Sequence, residues 1–232
     1  MLAELFGLVA PPRCALCGRG CSVRAQLCEP CETRLSRLRP RPAAIRAVDH
    51  AWSAAPYDGA ARALVSALKF GRRVALARRA ARAIATQAPL ELLDGVIVPV
   101  PPAPWRRRWR GFDAAEEIAA WLAVETGLTV SRCLRRSEGR RQVGRPRAER
   151  LADPPRVRVM GEPPKRALLV DDVLTTGATL CACAAALRAG GAEHIGALTF
   201  ARSGSAVGVG GPARRAYHGN RSRGKETECE SR

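Results

Sequence analysis

Leu168-Leu169-Val170-Asp171-Asp172-Val173-Leu174-Thr175-Thr176-Gly177-Ala178-Thr179 decides how this chain is read. It opens as an apolar run, carries two adjacent acids, and passes through a small hydroxyl-rich turn into an alanine-rich segment that Gly190-Gly191 stops. That order predicts strand, turn and helix. In an open α/β sheet, ligands bind beyond the carboxyl ends of the strands. The backbone N–H groups and hydroxyls of Thr175, Thr176, Gly177, Ala178 and Thr179 would converge at a helix N-terminus, where the dipole favours an anion such as a phosphate. Gly177 would let the backbone approach it closely. Asp171 and Asp172 would repel that phosphate but suit the hydroxyls of a sugar, and Mg²⁺ through water. The plainer alternative is a generic strand-to-helix turn capped by Asp and Thr; the full string is much more specific than a lone DD or TTG.

Upstream, the pattern repeats its alternation. Residues 51–57 suggest a strand, Asp58-Gly59 a turn, and residues 63–70 and 74–86 two helices. GVIVPV (95–100) reads as a buried strand, followed by a very basic loop, APWRRRWRG. Residues 112–127 read as a helix with Asp113 as N-cap, Glu116 as its capping-box partner and Gly127 as C-cap. LTVSRC (128–133) suggests a strand, residues 135–165 a mobile Arg- and Pro-rich loop, and HIGALTFA (194–201) a last strand. Strands alternating with helices predict a mainly parallel sheet covered on both faces. From residue 203 the pattern gives way to Gly, Ser and Arg, and a disordered tail is expected over 203–232.

Cys14-x-x-Cys17 and Cys28-x-x-Cys31 form two matched knuckles in front of this unit. Four thiolates suit a structural Zn²⁺ with every ligand position filled. Gly18 and Gly20 fit the tight turn after the first pair, and Cys21 is a spare or substitute ligand. A disulfide framework and a redox C-x-x-C are the competing readings. Cys133, Cys181 and Cys183 read as small buried hydrophobes. A Pro-containing connector near residue 42 divides the chain into a knuckle (1–41), an α/β domain (42–202) and the tail.

The 232 residues carry 39 basic and 21 acidic side chains, for a formal charge of +18. Only Lys69, Lys165 and Lys225 are lysines. A GC-rich genome would produce the same arginine bias, but the positive field attracts polyanions whatever its origin. No apolar run approaches the roughly 18–20 residues of a membrane span. The first residues, MLAELFGLVAPPRC, are too short and too acidic for a secretory signal, so a cytoplasmic protein is expected.

The DDVLTTGAT string resembles that of the type I phosphoribosyltransferase fold. In that fold the two acids face the ribose diol of phosphoribosyl pyrophosphate (PRPP) and the TTGAT turn holds its 5′-phosphate. The order of the paired C-x-x-C, Leu68-Lys69-Phe70, Val98-Pro99-Val100-Pro101, Arg110-Gly111-Phe112-Asp113, then Arg136, Gln142 and Arg150, resembles the ComF (competence protein F) group over residues 14–201. Members often carry Asn in place of Asp113 and of Asp153. The resemblance implies PRPP binding with Mg²⁺, with Asp171 and Asp172 as the catalytic pair and an undefined acceptor if the chain turns over. It also implies that Arg108 and Arg110 meet the pyrophosphate and that the loop from Arg135 to Arg150 closes over the substrate. Solvated basic loops are the alternative for both segments. Lys69 joins the PRPP-binding candidates, with an ordinary surface lysine as its alternative. A second implication is a role in DNA uptake. The chain would then be a non-catalytic module for single-stranded DNA or a helicase partner that keeps the PRPP site as a sensor, with Trp105 and Trp109 stacking on bases beside the arginines.

Overall fold

The computed structural model describes residues 12–22, 25–43, 45, 47–71, 73–137 and 155–204. Residues 138–150 of the basic loop, with Gln142 and Arg150, and all but the first two residues of the expected tail lie outside the described residues. Helix α1 (Glu29–Ser36) belongs to the knuckle. Strands β1 (Arg41–Ala43) and β2 (His50–Pro56) follow, then α2 (Gly59–Lys69), a 3₁₀ turn (Val74–Leu76) and α3 (Ala77–Gln87). After them come β3 (Val96–Pro99), α4 (Pro104–Arg110), α5 (Ala114–Thr126), the short β4 (Leu134–Arg136) and β5 (Val157–Val159), β6 (Arg166–Leu174), α6 (Ala178–Ala189) and β7 (His194–Arg202).

Five strands form one sheet in the order β1-β2-β7-β6-β3. All neighbours pair in parallel except β1, which runs antiparallel on the β2 edge. Each parallel step needs a crossover, and the crossover helices cover the two faces. Leu168 and Val170 of β6 pack with Leu198 and Phe200 of β7 against α2, α3 and α5. Their alternates Ala167 and Leu169 pack with Ala197 against α6 and the β4–β5 hairpin. β6 is thus buried on both sides, which its continuous apolar run anticipates. The expected mainly parallel α/β sheet is what forms. β1 begins at Arg41, so the expected boundary near residue 42 falls at the strand that joins this sheet.

Three local expectations change. The basic segment after Pro101-Pro102 is helical over Pro104–Arg110 instead of a loop: Pro104 starts the helix, where its missing N–H costs nothing, and the arginines are good helix formers. The strand read at 128–133 shrinks to a single bridge between Val130 and Ile97, and the pairing strand starts at Leu134. Its partner β5 lies in the stretch read as a mobile loop. The capping box is only half made. Asp113 accepts from the Ala115 N–H at 3.1 Å and Gly127 closes the helix at φ 76°, but Glu116 pairs with Arg132.

Asp113→Ala is therefore expected to lower stability by about 1 kcal/mol in urea unfolding. Glu116→Ala is expected to stay within about 0.5 kcal/mol of wild type, since it removes only an exposed ion pair. Equal losses from both would restore the full capping box.

Candidate functional site

Register places the acids. Pro99, the last residue of β3, pairs with Val170, and the Val100 N–H donates to the Val170 carbonyl at 2.9 Å. β6 then runs on past the end of β3, so Asp171 and Asp172 stand where the sheet opens at its carboxyl edge. Strand alternation sends them to opposite faces.

Asp172 follows Leu168 and Val170 onto the α2 face. It is buried, and Lys69 Nζ lies 2.8 Å from its Oδ1. Lys69 is the last residue of α2, whose amphipathic spacing buries Leu64, Val65 and Leu68 and carries the ammonium to the strand end. Both side chains are largely withdrawn from water, at 19% and 9% exposed, so this is an internal ion pair. The surface-lysine alternative is set aside by that contact.

Asp171 follows Leu169 onto the α6 face, beside Thr199 of β7 in register. Thr199 in turn pairs in register with Ser53 of β2, and their hydroxyls meet at 2.6 Å, fully buried. A polar row therefore crosses β6, β7 and β2 just below the opening. Ser53 and Thr199 escape a reading of the sequence, because lone hydroxyls inside apolar strands carry no spacing signal. Asp171 keeps some contact with solvent, yet the protein packed round its carboxyl dominates. Burial first, and the neighbouring charge of Asp172 second, push Asp171 up to about 8. The Lys69 charge and the Asp172 N–H, which donates to Asp171 Oδ1 at 2.8 Å, offset part of this.

The turn that follows is built as a helix entrance. Gly177 is the N-cap of α6 with φ 77°, a left-handed conformation that a side chain would strain. A Cβ there would meet Ile45 and Leu174 at 3.6 Å, an ordinary contact, so the backbone angle sets the need for glycine. As N-cap, Gly177 brings no capping side chain. Thr176 Oγ1 accepts weakly from the Ala178 N–H at 3.4 Å, and Thr175 and Thr176 are exposed. The first turn of this 12-residue helix is thus partly open to solvent, with the dipole behind it.

Helix α4 borders the same corner. The Trp109 ring lies 6.2 Å from that of Phe70, the neighbour of Lys69, and the Arg110 guanidinium sits 5.2 Å over Phe70. Arg110 is thereby held against the residue that follows Lys69 in the chain. Arg108 is exposed on the same short helix, and Trp105 and Trp109 are exposed as well. Arg136 ends β4, near enough for its charge to act on Cys183 of α6. Cys183 and Cys133 are buried as expected, Cys181 partly so.

At the other end of the chain, Cys14, Cys17, Cys28 and Cys31 bring their sulfurs within 4.8 Å of one another. Cys17 and Cys28 are 3.6 Å apart, close to the ~3.8 Å edge that a tetrahedron with metal–sulfur bonds of about 2.3 Å requires. Burial raises the Cys14 thiol, but the N–H groups of Cys28, Cys17 and Leu16 outweigh it and lower it to about 6. Burial and the neighbouring sulfurs push Cys31 up to about 12. This cluster fits a metal such as zinc. Cys21 stands apart, its thiol directed to the Ala25 carbonyl at 3.0 Å.

The mainly parallel sheet, its covering helices and the acid-pair strand leading into a threonine turn define a type I phosphoribosyltransferase fold, and the cysteine cluster is compatible with an N-terminal knuckle. Residues 110–210, less than half of the chain, match the family described as phosphoribosyl transferase domain. Among solved structures, the glutamine PRPP amidotransferase from B. subtilis, complexed with ADP and GMP, is similar at 20% identity and a TM-score of 0.36. The likeness covers 53% of this chain and 26% of that one, so the chain spans about a quarter of that structure's length. No curated protein matches the chain significantly. Among the described residues no helix is long and apolar enough to cross a membrane.

Two outcomes follow from the acid pair. Lys69→Met leaves Asp172 buried without its partner and is expected to cost roughly 3 kcal/mol, most of it recovered in Lys69→Met/Asp172→Asn. Denaturant unfolding of the three proteins decides, and a double variant no better than the single would deny the pairing. The second outcome concerns pH. Between about pH 4 and 8 folded Asp171 holds a proton that the unfolded chain has lost, so this group makes stability fall as pH rises through that window. Asp171→Asn should therefore be more stable than wild type at pH 8 by at least ~1 kcal/mol, with the gap closing toward pH 4. A gap independent of pH would contradict the raised carboxyl.

Proposed function

We propose that the chain is a phosphoribosyltransferase-type protein that binds PRPP at the end of β6. The match of residues 110–210 to the phosphoribosyl transferase domain supports this reading. The single observation that carries it is the juxtaposition of a partly open α6 N-terminus, entered through Gly177, with two carboxylates on the preceding strand. The 5′-phosphate lies in the Thr175–Thr179 turn, held by backbone N–H groups and threonine hydroxyls. The ribose diol faces Asp171 and Asp172. One carboxyl is held protonated near neutrality and can donate, while its neighbour, paired with Lys69, accepts. Two hydroxyls, each both donor and acceptor, suit that asymmetric pair.

Arg110, with Arg108 beside it on α4, offers forked donors to the pyrophosphate. Lys69, paired with Asp172, adds a point charge at the acids. Mg²⁺ would be carried largely by the substrate's own oxygens; Asp171, protonated near neutrality, and Asp172, engaged by Lys69, would meet it only through its water. When bound, it would neutralise charge on the leaving pyrophosphate. Transfer, where it occurs, breaks the bond from ribose C1 to pyrophosphate and forms one from C1 to the acceptor, which loses a proton. The chain's part is electrostatic: fixed cations stabilise the departing anion while positive charge develops on the ribose. Cys14, Cys17, Cys28 and Cys31 would hold Zn²⁺ with four sulfurs, and the ion would then support folding. The paired C-x-x-C in front of the acid-pair turn supports a ComF-type assignment, and with it a place in the handling of incoming DNA.

Titration calorimetry with PRPP and Mg²⁺ tests the site. Wild type is expected to bind, and Asp171→Ala/Asp172→Ala to bind at least tenfold more weakly. Unchanged affinity in the double variant would remove the acids from the site.

A further inference from the structure

We propose that the groove between α1 and α3 is a second binding site, and that its ligand is a nucleotide. The groove encloses about 790 Å³, a volume typical of small-molecule sites, and shares no residue with the Lys69–Asp172 corner. The proposal does not rest on the phosphoribosyl reading.

Its walls are unusually cationic. Arg39, from the connector after α1, and Arg78, Arg79 and Arg82, from α3, line it against a single acid, Glu32. The structure already uses two of these arginines. Arg79 crosses the groove to Glu32 and ties the knuckle to the domain, while Arg78 turns to Glu125 at 3.7 Å and lies 5.1 Å over the Trp121 ring. Arg39 and Arg82 are exposed and have no carboxylate partner among the described residues. Two open guanidiniums on facing walls offer forked donors to phosphate oxygens.

The rest of the groove asks for more than phosphate. Leu38, Pro40 and Ala83, each with accessible surface, give it an apolar floor over the fully buried Leu64 and Phe200, and Leu35 closes the knuckle side. Gln87, at the far end of α3, lines the groove with its amide oxygen buried and accepting from no donor among the described residues. Buried acceptors in native proteins are normally satisfied, so this one marks a place for an N–H or O–H from outside the chain. A ligand with phosphates for Arg39 and Arg82, a flat ring for the floor and an amino or hydroxyl group for Gln87 is a nucleotide. Inorganic phosphate would leave the floor and Gln87 unused. Because one wall is the knuckle, the ligand would also couple metal loading to the domain through α1.

Calorimetry on the full metal-loaded chain, with ADP as the probe and ribose 5-phosphate as the control, decides the matter. Arg39→Gln/Arg82→Gln keeps both side-chain stems on exposed positions, and an unchanged Tm certifies its fold. ADP is expected to bind wild type and to weaken at least tenfold in this variant, with ribose 5-phosphate unchanged within twofold. Gln87→Leu should weaken ADP but leave phosphate-driven competition by pyrophosphate intact. Thr176→Val, in the turn before α6, should leave ADP affinity within twofold. The proposal fails if wild type does not bind ADP, or if the double arginine variant binds it equally well. It fails too if Thr176→Val is the variant that loses ADP, which would place ADP in the sugar-phosphate corner. A 12-nucleotide single strand that binds through Arg39 and Arg82 while ADP does not would replace the nucleotide with nucleic acid.

Discussion

The parallel pairing of β6 with β3 on one side and β7 on the other is the constraint from which the site follows. β3 ends at Pro99, opposite Val170, while β7 accompanies β6 all the way to Leu174. The strand is thus released on one side exactly where its sequence turns from apolar to acidic. Two adjacent acids in mid-strand would be costly in a core. At a sheet edge they fall on opposite faces and are met differently. Lys69 neutralises Asp172 on the α2 face, while Asp171 is left beside buried hydroxyls and is held neutral over much of the physiological range.

The entrance to α6 completes that arrangement. Its glycine N-cap leaves the first turn open, and no acid stands in that turn to compensate the dipole. On the proposed reading, an anion drawn there would sit near the uncharged Asp171 and the Lys69-paired Asp172, and a sugar would bridge the turn to that pair. A molecule with anions at both ends and a diol in the middle is what the proposed reading asks of this corner.

Much of this was legible in the sequence, for physical reasons. β6 is buried on both faces and must read as a continuous apolar run; α6 follows from a glycine in a left-handed cap and an alanine-rich stretch. The matched cysteine pairs needed only their spacing to suggest the cluster that the sulfurs form. Other parts were hidden. β4 and β5 are three residues each, LRR and VRV, separated by 20 residues, and neither has an alternation long enough to stand out. α4 is all Pro, Trp and Arg, with no apolar periodicity to mark a helix, and the contact of Trp109 with Phe70 joins it to a distant part of the chain. Lys69 was separable from any surface lysine only by its distance to Asp172. Ser53 and Thr199 became visible only when β2 and β7 were laid side by side.

The knuckle is not an isolated bead. Cys14, Leu27, Cys31 and Leu35 share one hydrophobic core with α2 and α3, and Arg79 fastens Glu32 across the join. Metal at the sulfurs would therefore act on the same core that α2 and α3 share. The most direct measurement of the central claim is a crystal structure of the chain with ribose 5-phosphate. The account predicts phosphate density against the N–H groups of Thr175–Thr179, with the 2′- and 3′-hydroxyls facing Asp171 and Asp172. Phosphate density elsewhere, or a threonine turn closed against protein with the acids still locked to their own neighbours, would contradict it.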